Sequence, residues 1–104
     1  MKQVHRQKEI ENLSSSFVLM IGAEWCGNCG PAKMYLKGIE KKHPNTQFYY
    51  IDFEDFTLEN NEISKKVKSV SSFPTIYYFN KGKRLYKTEG LNSEGKSKLN
   101  AFLK

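Results

Sequence analysis

Two cysteines, Cys26 and Cys29, are separated by two residues and are the only cysteines of the chain. They follow the apolar run 17–23 and precede a helical pattern, and a C-x-x-C pair at such a junction is typical of thiol–disulfide chemistry. Residues three apart in a helical turn lie about 5–6 Å apart, which suits a disulfide. The unpaired amides and dipole of a helix N-terminus favour a thiolate, which is the nucleophilic form of cysteine.

Size and composition indicate one folded domain over residues 1–104. The chain has 104 residues, of which 38% are hydrophobic and 13% aromatic, and this is enough to form a core without metal or disulfide support. A disulfide across two residues closes a very small loop and constrains the unfolded chain little. The cysteine pair is therefore expected to serve chemistry or to bind metal.

The net charge of +6 comes from many lysines, which we interpret as a solvated surface or as a means of steering acidic protein partners. The aromatic run 48–53 resembles a strand and not an exposed platform for bases, so no nucleic-acid partner is expected. The polar N-terminus lacks the apolar segment of a secretory signal, and the longest apolar run is too short to span a bilayer. We therefore expect a cytoplasmic protein without a membrane partner. We also expect it to be a monomer.

Strand and helix patterns alternate along the chain, which predicts an α/β fold. The spacing of Ala32, Tyr35, Leu36 and Ile39 places one apolar stripe on the helix after the cysteines. We expect strands at 2–6, 17–23, 47–53, 75–79 and 84–88. Helices are expected at 7–13, from the cysteines to about 42, at 59–70, and after a cap at Asn92 or Ser93.

Three segments together resemble the thioredoxin family. Residues 23–27, Ala-Glu-Trp-Cys-Gly, match the family's usual approach to its active site. Residues 73–76, Phe-Pro-Thr-Ile, match its second signature, and residues 79–83, Phe-Asn-Lys-Gly-Lys, match its hairpin turn. The order of elements agrees over essentially all of the chain. This resemblance implies a thioredoxin fold with a central mixed five-stranded sheet flanked by four helices.

The resemblance also implies a function, which is reduction of protein disulfides. Cys26 would be the nucleophile that forms a mixed disulfide with the substrate, and Cys29 would be the resolving cysteine. No metal or other cofactor is expected besides the Cys26–Cys29 dithiol. Because the sequence has no G-x-G-x-x-G fingerprint, a separate electron donor of the thioredoxin-reductase type would recharge the pair.

Five further residues would contact the protein substrate if the family pattern applies. Trp25, Gly27 and Asn28 belong to the Trp-Cys-Gly-Asn-Cys motif, and Trp25 would shield the disulfide. Pro74 would lie against the disulfide after a cis peptide bond. Phe73 would offer backbone groups to an extended substrate segment. From the residues alone, Pro74 also fits an ordinary trans proline at the start of a strand.

The chain departs from the family pattern beneath and beside the cysteines. Met20 stands where the family usually has a buried aspartate, and Phe48 stands where a lysine often pairs with that aspartate. We expect an apolar floor beneath Cys29 and a slower resolving step. Gly22 replaces a second tryptophan, which should open space beside the site or allow a close backbone approach; a bulge glycine is the alternative.

Asn28 replaces the proline that thioredoxins mostly carry, and no histidine lies in the motif. Oxidising relatives commonly use a histidine there to stabilise their thiolate. The motif therefore predicts a reduction potential nearer to about −270 mV than to about −120 mV.

Two other classes of function remain open at this point. The chain could be a non-catalytic interaction protein that uses the same fold. It could also bind a metal or an iron–sulfur cluster. His5 and His43 lack the spacing of zinc ligands, so one chain offers only two cysteine ligands, and such a site would need the cysteine pairs of two chains. Among the carboxylates, Glu24 and Asp52 are expected nearest the cysteines, as solvated charges or, for Glu24, as an influence on the thiol.

Overall fold

A computed structural model describes residues 1–103, with the backbone only at Leu85. Five strands form one mixed sheet in the order β1-β3-β2-β4-β5. Strands β1 and β2 pair parallel with β3, whereas β4 pairs antiparallel with both β2 and β5. The strands are β1 Lys2–Gln3, β2 Phe17–Gly22, β3 Gln47–Asp52, β4 Thr75–Asn80 and β5 Lys83–Glu89. The expected mixed five-stranded sheet is therefore confirmed.

Three α-helices cover the sheet in the described residues, and they are α1 Cys29–Glu40, α2 Glu62–Lys68 and α3 Ser93–Leu103. Helices α1 and α3 pack on one face of the sheet with Met20, Phe48 and Tyr50. Helix α2 packs on the other face, together with residues of the N-terminal segment. Strand β2 is buried along its whole length because it lies between β3 and β4 with helices on both faces. No helix within residues 1–103 is long and apolar enough to cross a membrane.

The expectation of four helices is wrong at the N-terminus, where 7–13 was predicted to be helical. Only Gln7–Glu9 is helical, as a single 3-10 turn that ends at Ile10. The carboxylate of Glu9 accepts a hydrogen bond from the His5 amide at 2.8 Å, which favours a tight turn. So short a segment buries too little apolar surface to offset the cost of helix nucleation.

Local capping explains the other boundaries. Helix α2 begins three residues later than predicted because Asn61 caps it and accepts a hydrogen bond from the Ser64 amide at 3.0 Å. Asn92 caps α3 by accepting a hydrogen bond from the Gly95 amide at 2.8 Å. The β4–β5 hairpin turns at Lys81 and Gly82, whose φ angles of 54° and 83° are those of a two-residue type I′ turn.

Candidate functional site

Cys26 and Cys29 form a disulfide at the end of β2, with their Cα atoms 5.4 Å apart. Cys29 is the first residue of α1, and Cys26 lies in the turn that leads into it. The Cys29 amide donates to the Cys26 carbonyl at 3.2 Å, and the Cys26 amide donates to the Ala23 carbonyl at 3.2 Å. Cys29 is buried, whereas Cys26 is partly exposed. A substrate sulfur therefore has access to Cys26 but not to Cys29.

Helix α1 begins at the motif itself. Asn28 occupies the cap position, and Pro31 is the third helical residue. The amides of a first helical turn have no partner within the helix, so the missing N–H of Pro31 breaks no hydrogen bond there and requires no kink. The sequence leaves two possibilities for Pro31, an early kink in a helix that starts at the motif or a helix that starts at Pro31 with Gly30 as its cap, and the structure shows the start at the motif. Cys29 thus lies at the N-terminus of α1, where the helix dipole favours a thiolate.

The floor beneath Cys29 is apolar, as the sequence predicts. Met20 has no exposed surface and pairs in register with Tyr50 on β3 and Ile76 on β4. Phe48 is 1% exposed, and it belongs to the same packed cluster as Met20 and Cys29. Where the family usually buries an ion pair, this chain packs a thioether and a phenyl ring.

Gly22 does not leave open space beside the site. A Cβ atom added at Gly22 would lie 3.1 Å from three atoms, namely Cys29 Sγ, Tyr50 Cε1 and the Tyr50 hydroxyl oxygen. Gly22 pairs regularly with Asp52, so it is not a bulge residue either. It is a close-approach glycine, and its missing side chain lets the Tyr50 ring pack beside the buried sulfur.

Tyr50 lies among several charged groups. The Lys33 ammonium from α1 is 3.9 Å from the centre of the Tyr50 ring. Burial raises the pKa of the Tyr50 hydroxyl above its ordinary value of 10.0, and the negative charges of Asp52 and Glu24 raise it further. Asp52 is 8% exposed and accepts a hydrogen bond from the Glu54 amide at 2.9 Å, so it is not the solvated charge that the sequence suggested. Glu24 is exposed, as expected.

Aromatic rings form a rim around the disulfide. Trp25 is 65% exposed and meets Phe73 edge to face, with ring centres 5.3 Å apart. Phe73 in turn meets Phe53 at 5.1 Å. The indole N–H of Trp25 donates to the Glu54 carboxylate at 2.6 Å, which fixes the ring over the turn. Phe53 and Glu54 were not among the predicted site residues.

Two clefts flank the cysteine motif. The first, of about 430 Å³, brings four of the five predicted substrate contacts together with Cys26, and its lining residues are Trp25, Cys26, Gly27, Asn28, Ser71, Ser72 and Phe73. The second, of about 370 Å³, lies on the other side of Asn28 and reaches Glu89, Gly90 and Lys96. A docked polypeptide would have room on both sides of the exposed sulfur.

The fifth predicted contact, Pro74, is buried and begins the approach to β4. The Phe73–Pro74 peptide bond is cis, as the resemblance implied. The Pro74 carbonyl accepts a hydrogen bond from the Gly90 amide at 2.6 Å, which ties this loop to the loop before α3. In the part of the chain that the structure describes, no three His, Cys, Asp or Glu side chains are grouped as metal ligands.

Residues 2–104 match the family model described as Thioredoxin. The chain belongs to the thioredoxin family. It is 27% identical over 86 residues to Putative thioredoxin-4 of Dictyostelium discoideum, covering 83% of this chain and 75% of that protein. It is 30% identical over 88 residues to a TPR repeat-containing thioredoxin of Oryza sativa, covering 85% of this chain but only 26% of that longer protein.

Solved thioredoxin structures share the fold. Plasmodium falciparum thioredoxin superposes with a TM-score of 0.81 at 21% identity, and Fasciola hepatica thioredoxin with 0.79 at 22%, each over 100% of both chains. The family and the cysteine pair at disulfide distance make this chain a thiol–disulfide oxidoreductase in the general sense.

Sequence reasoning missed Tyr50 as a site residue. The signal was present, because side chains alternate along a strand and 48, 50 and 52 therefore share one face of β3. What the sequence did not supply was the register that aligns Tyr50 with Met20 and places its ring beside Gly22.

Proposed function

We propose that this protein reduces disulfides of other proteins through a Cys26–Cys29 dithiol. The Cys26 thiolate attacks a substrate disulfide, forms a Cys26–substrate bond and releases one substrate thiolate. Cys29 then attacks the Cys26 sulfur, which forms the Cys26–Cys29 disulfide and releases the second substrate thiolate. The substrate gains two electrons, and the dithiol loses two.

The main support for this proposal is the difference in solvent exposure between the two bonded cysteines. Cys26 is partly exposed, and Cys29 is 5% exposed at the start of α1. This arrangement favours attack by Cys26 on a large substrate and confines Cys29 to an intramolecular step. The aromatic rim and the two clefts offer a polypeptide both an apolar contact and room to extend.

The reduced form must be regenerated by an electron donor. We propose a separate reductase of the thioredoxin-reductase type and a reducing compartment, the cytoplasm, in which dithiols persist. The dithiol itself is the only redox group that this cycle requires.

Insulin reduction in the presence of dithiothreitol tests the activity. The wild-type protein should accelerate precipitation of the insulin chains, and Cys26→Ser should abolish this acceleration. A wild-type protein that is inert in this assay would contradict the proposal and favour a non-catalytic interaction protein. Bound metal or an iron–sulfur cluster in the purified protein, together with inertness, would favour the metal-binding alternative.

Two further measurements define the reaction. Cys29→Ser should accumulate mixed disulfides on Cys26, and mass spectrometry of these adducts would identify the substrates. Equilibration with glutathione should place the reduction potential nearer to about −270 mV, and a value above about −180 mV would indicate an oxidase or isomerase instead.

A further inference from the structure

The resolving step requires a thiolate at Cys29, and the environment of that sulfur works against it. A buried thiol among apolar side chains keeps its proton more strongly than a solvated one. Met20 and Phe48 supply no charge or polar hydrogen to offset this effect. The N-terminus of α1 favours a thiolate at Cys29, and, if the proposed function is correct, a polar group beside the sulfur would add to this effect.

Tyr50 is the side chain in that floor with a polar end. Its hydroxyl oxygen and Cys29 Sγ each lie 3.1 Å from the position that a Cβ of residue 22 would occupy, so the two atoms are no more than twice that distance apart. Among the hydrogen bonds of residues 1–103, the Tyr50 hydroxyl takes part in none. The hydroxyl is therefore free to turn towards the sulfur when the disulfide opens.

The charges around this pair come from three elements. Lys33 on α1 places a positive charge over the Tyr50 ring, which favours a thiolate nearby. Asp52 on β3 and Glu24 in the turn carry negative charges that raise the pKa of the Tyr50 hydroxyl. Because burial raises the pKa of Tyr50 above 10.0, its hydroxyl remains protonated at neutral pH and is a hydrogen-bond donor there.

We propose that the Tyr50 hydroxyl donates a hydrogen bond to the Cys29 thiolate in the mixed-disulfide intermediate and so assists the resolving step. Cys29 loses its proton, its sulfur bonds to Cys26, the bond between Cys26 and the substrate breaks, and the departing substrate thiolate takes up one proton. Tyr50 keeps its own proton throughout. Gly22 is part of this arrangement, because any side chain at that position would push the hydroxyl or the sulfur away.

The direct test measures the Cys29 pKa without any substrate. In a Cys26→Ser protein labelled with carbon-13 at cysteine Cβ, the chemical shift of Cys29 reports ionisation as the pH is raised. A hydrogen bond to a charged group stabilises it enough that Tyr50→Phe should raise this pKa by about one to two pH units. Tyr78→Phe is the matched control, because Tyr78 is a buried tyrosine of the same cluster on β4. An unchanged Cys29 pKa in Tyr50→Phe would overturn the proposal.

A kinetic test separates Tyr50 from the proposed function itself. In single-turnover reduction at pH 7, Tyr50→Phe should slow release of the substrate from its mixed disulfide about tenfold or more, while the first attack by Cys26 keeps its rate. Equal slowing of both steps would overturn the assignment. If wild-type Cys26 attacks no protein disulfide, the proposed function is wrong. The Cys29 titration still tests the hydrogen bond from Tyr50, because it uses no substrate.

Gly22→Ala provides a second variant that retains the hydroxyl. Its added methyl group should displace the Tyr50 hydroxyl from the sulfur and raise the Cys29 pKa in the same direction, with a smaller effect than Tyr50→Phe. If Tyr50→Phe proves unfolded by circular dichroism, this variant decides: a raised Cys29 pKa supports the proposal and an unchanged pKa overturns it.

Discussion

Met20→Asp would restore a carboxylate beneath Cys29, and the structure predicts a large cost in stability. Met20 has no exposed surface and packs between Tyr50 and Ile76. Truncating a buried methionine costs about 2–5 kcal/mol, and burying a poorly paired polar group adds about 1–3 kcal/mol. We expect the oxidised protein to lose about 3–8 kcal/mol in urea unfolding at pH 7, which is much of the stability of a domain this size.

The cost should depend on pH in a defined direction. Burial raises the folded-state pKa of the new aspartate above its unfolded value of about 3.9, so the neutral form is favoured in the fold. The penalty is therefore smallest below that unfolded value and grows as the pH rises through the folded-state pKa. Its full size is about 1.4 kcal/mol for each pH unit that separates the folded-state pKa from the unfolded one. A difference in stability that shrinks from pH 4 to pH 8 would contradict this account.

The same variant should accelerate the resolving step, because a carboxylate close to Cys29 can accept its proton. Leu19→Asp is the matched control: Leu19 is equally buried on β2 but faces the other side of the sheet. It should cost similar stability without faster release of substrate from the mixed disulfide. Undiminished stability of Met20→Asp, together with an unchanged resolving rate, would refute our account of the apolar floor.

Three further outcomes follow from other parts of the chain. Trp25→Ala should raise the KM for insulin about fivefold or more through loss of an aromatic anchor, whereas Met34→Ala, which removes an equally exposed apolar group on α1, should leave the KM unchanged. Equal KM values for the two variants would contradict a role of the aromatic rim in substrate binding. Gly38→Ala should raise the free energy of unfolding by about 1 kcal/mol, because Gly38 is helical and nothing lies within 4 Å of the added methyl; a loss would contradict this. The hydrogen bond from Arg6 lowers the pKa of Glu59, so the stability that this bond provides is present above the ordinary pKa of 4.5 and is lost as the pH falls through the folded-state pKa. Glu59→Gln should therefore lower the free energy of unfolding at pH 7 and match the wild type in acid. A difference in stability that does not change with pH would contradict the pairing.

The fold was predictable where one periodic pattern ran long enough to decide the structure. The run 17–23 and the stripe on α1 gave β2 and the helix start within a few residues, because each buries a full face. The prediction of a helix at 7–13 was wrong because the few apolar residues of this segment also fit a 3-10 turn followed by an extended chain. The start of α2 depended on which polar residue caps it, and a cap at Asn61 is decided by local hydrogen bonds and not by periodicity.

Site residues that are close together in the sequence were predictable. Site residues that come together only through strand pairing or loop geometry were not. The cysteine motif and Phe73 were identified from their sequence context, and the structure brings them to one cleft. The hydrogen bond from Trp25 to Glu54 joins residues 29 positions apart in an irregular turn after β3. No composition or spacing argument fixes such a contact, because it depends on how far β3 extends before the chain turns.

The departures at Met20, Phe48 and Gly22 are easier to understand together than singly. Removing a buried aspartate without its lysine would leave a charge unpaired, so both change to apolar side chains that fill the same layer. That change leaves only apolar side chains at positions 20 and 48 in the layer that holds Cys29. A glycine beside it then admits the Tyr50 ring, whose hydroxyl can donate a hydrogen bond without introducing a buried charge. A tyrosine in this position also resists ionisation at neutral pH, so it adds no charge beside Cys29 while still offering the sulfur one donor.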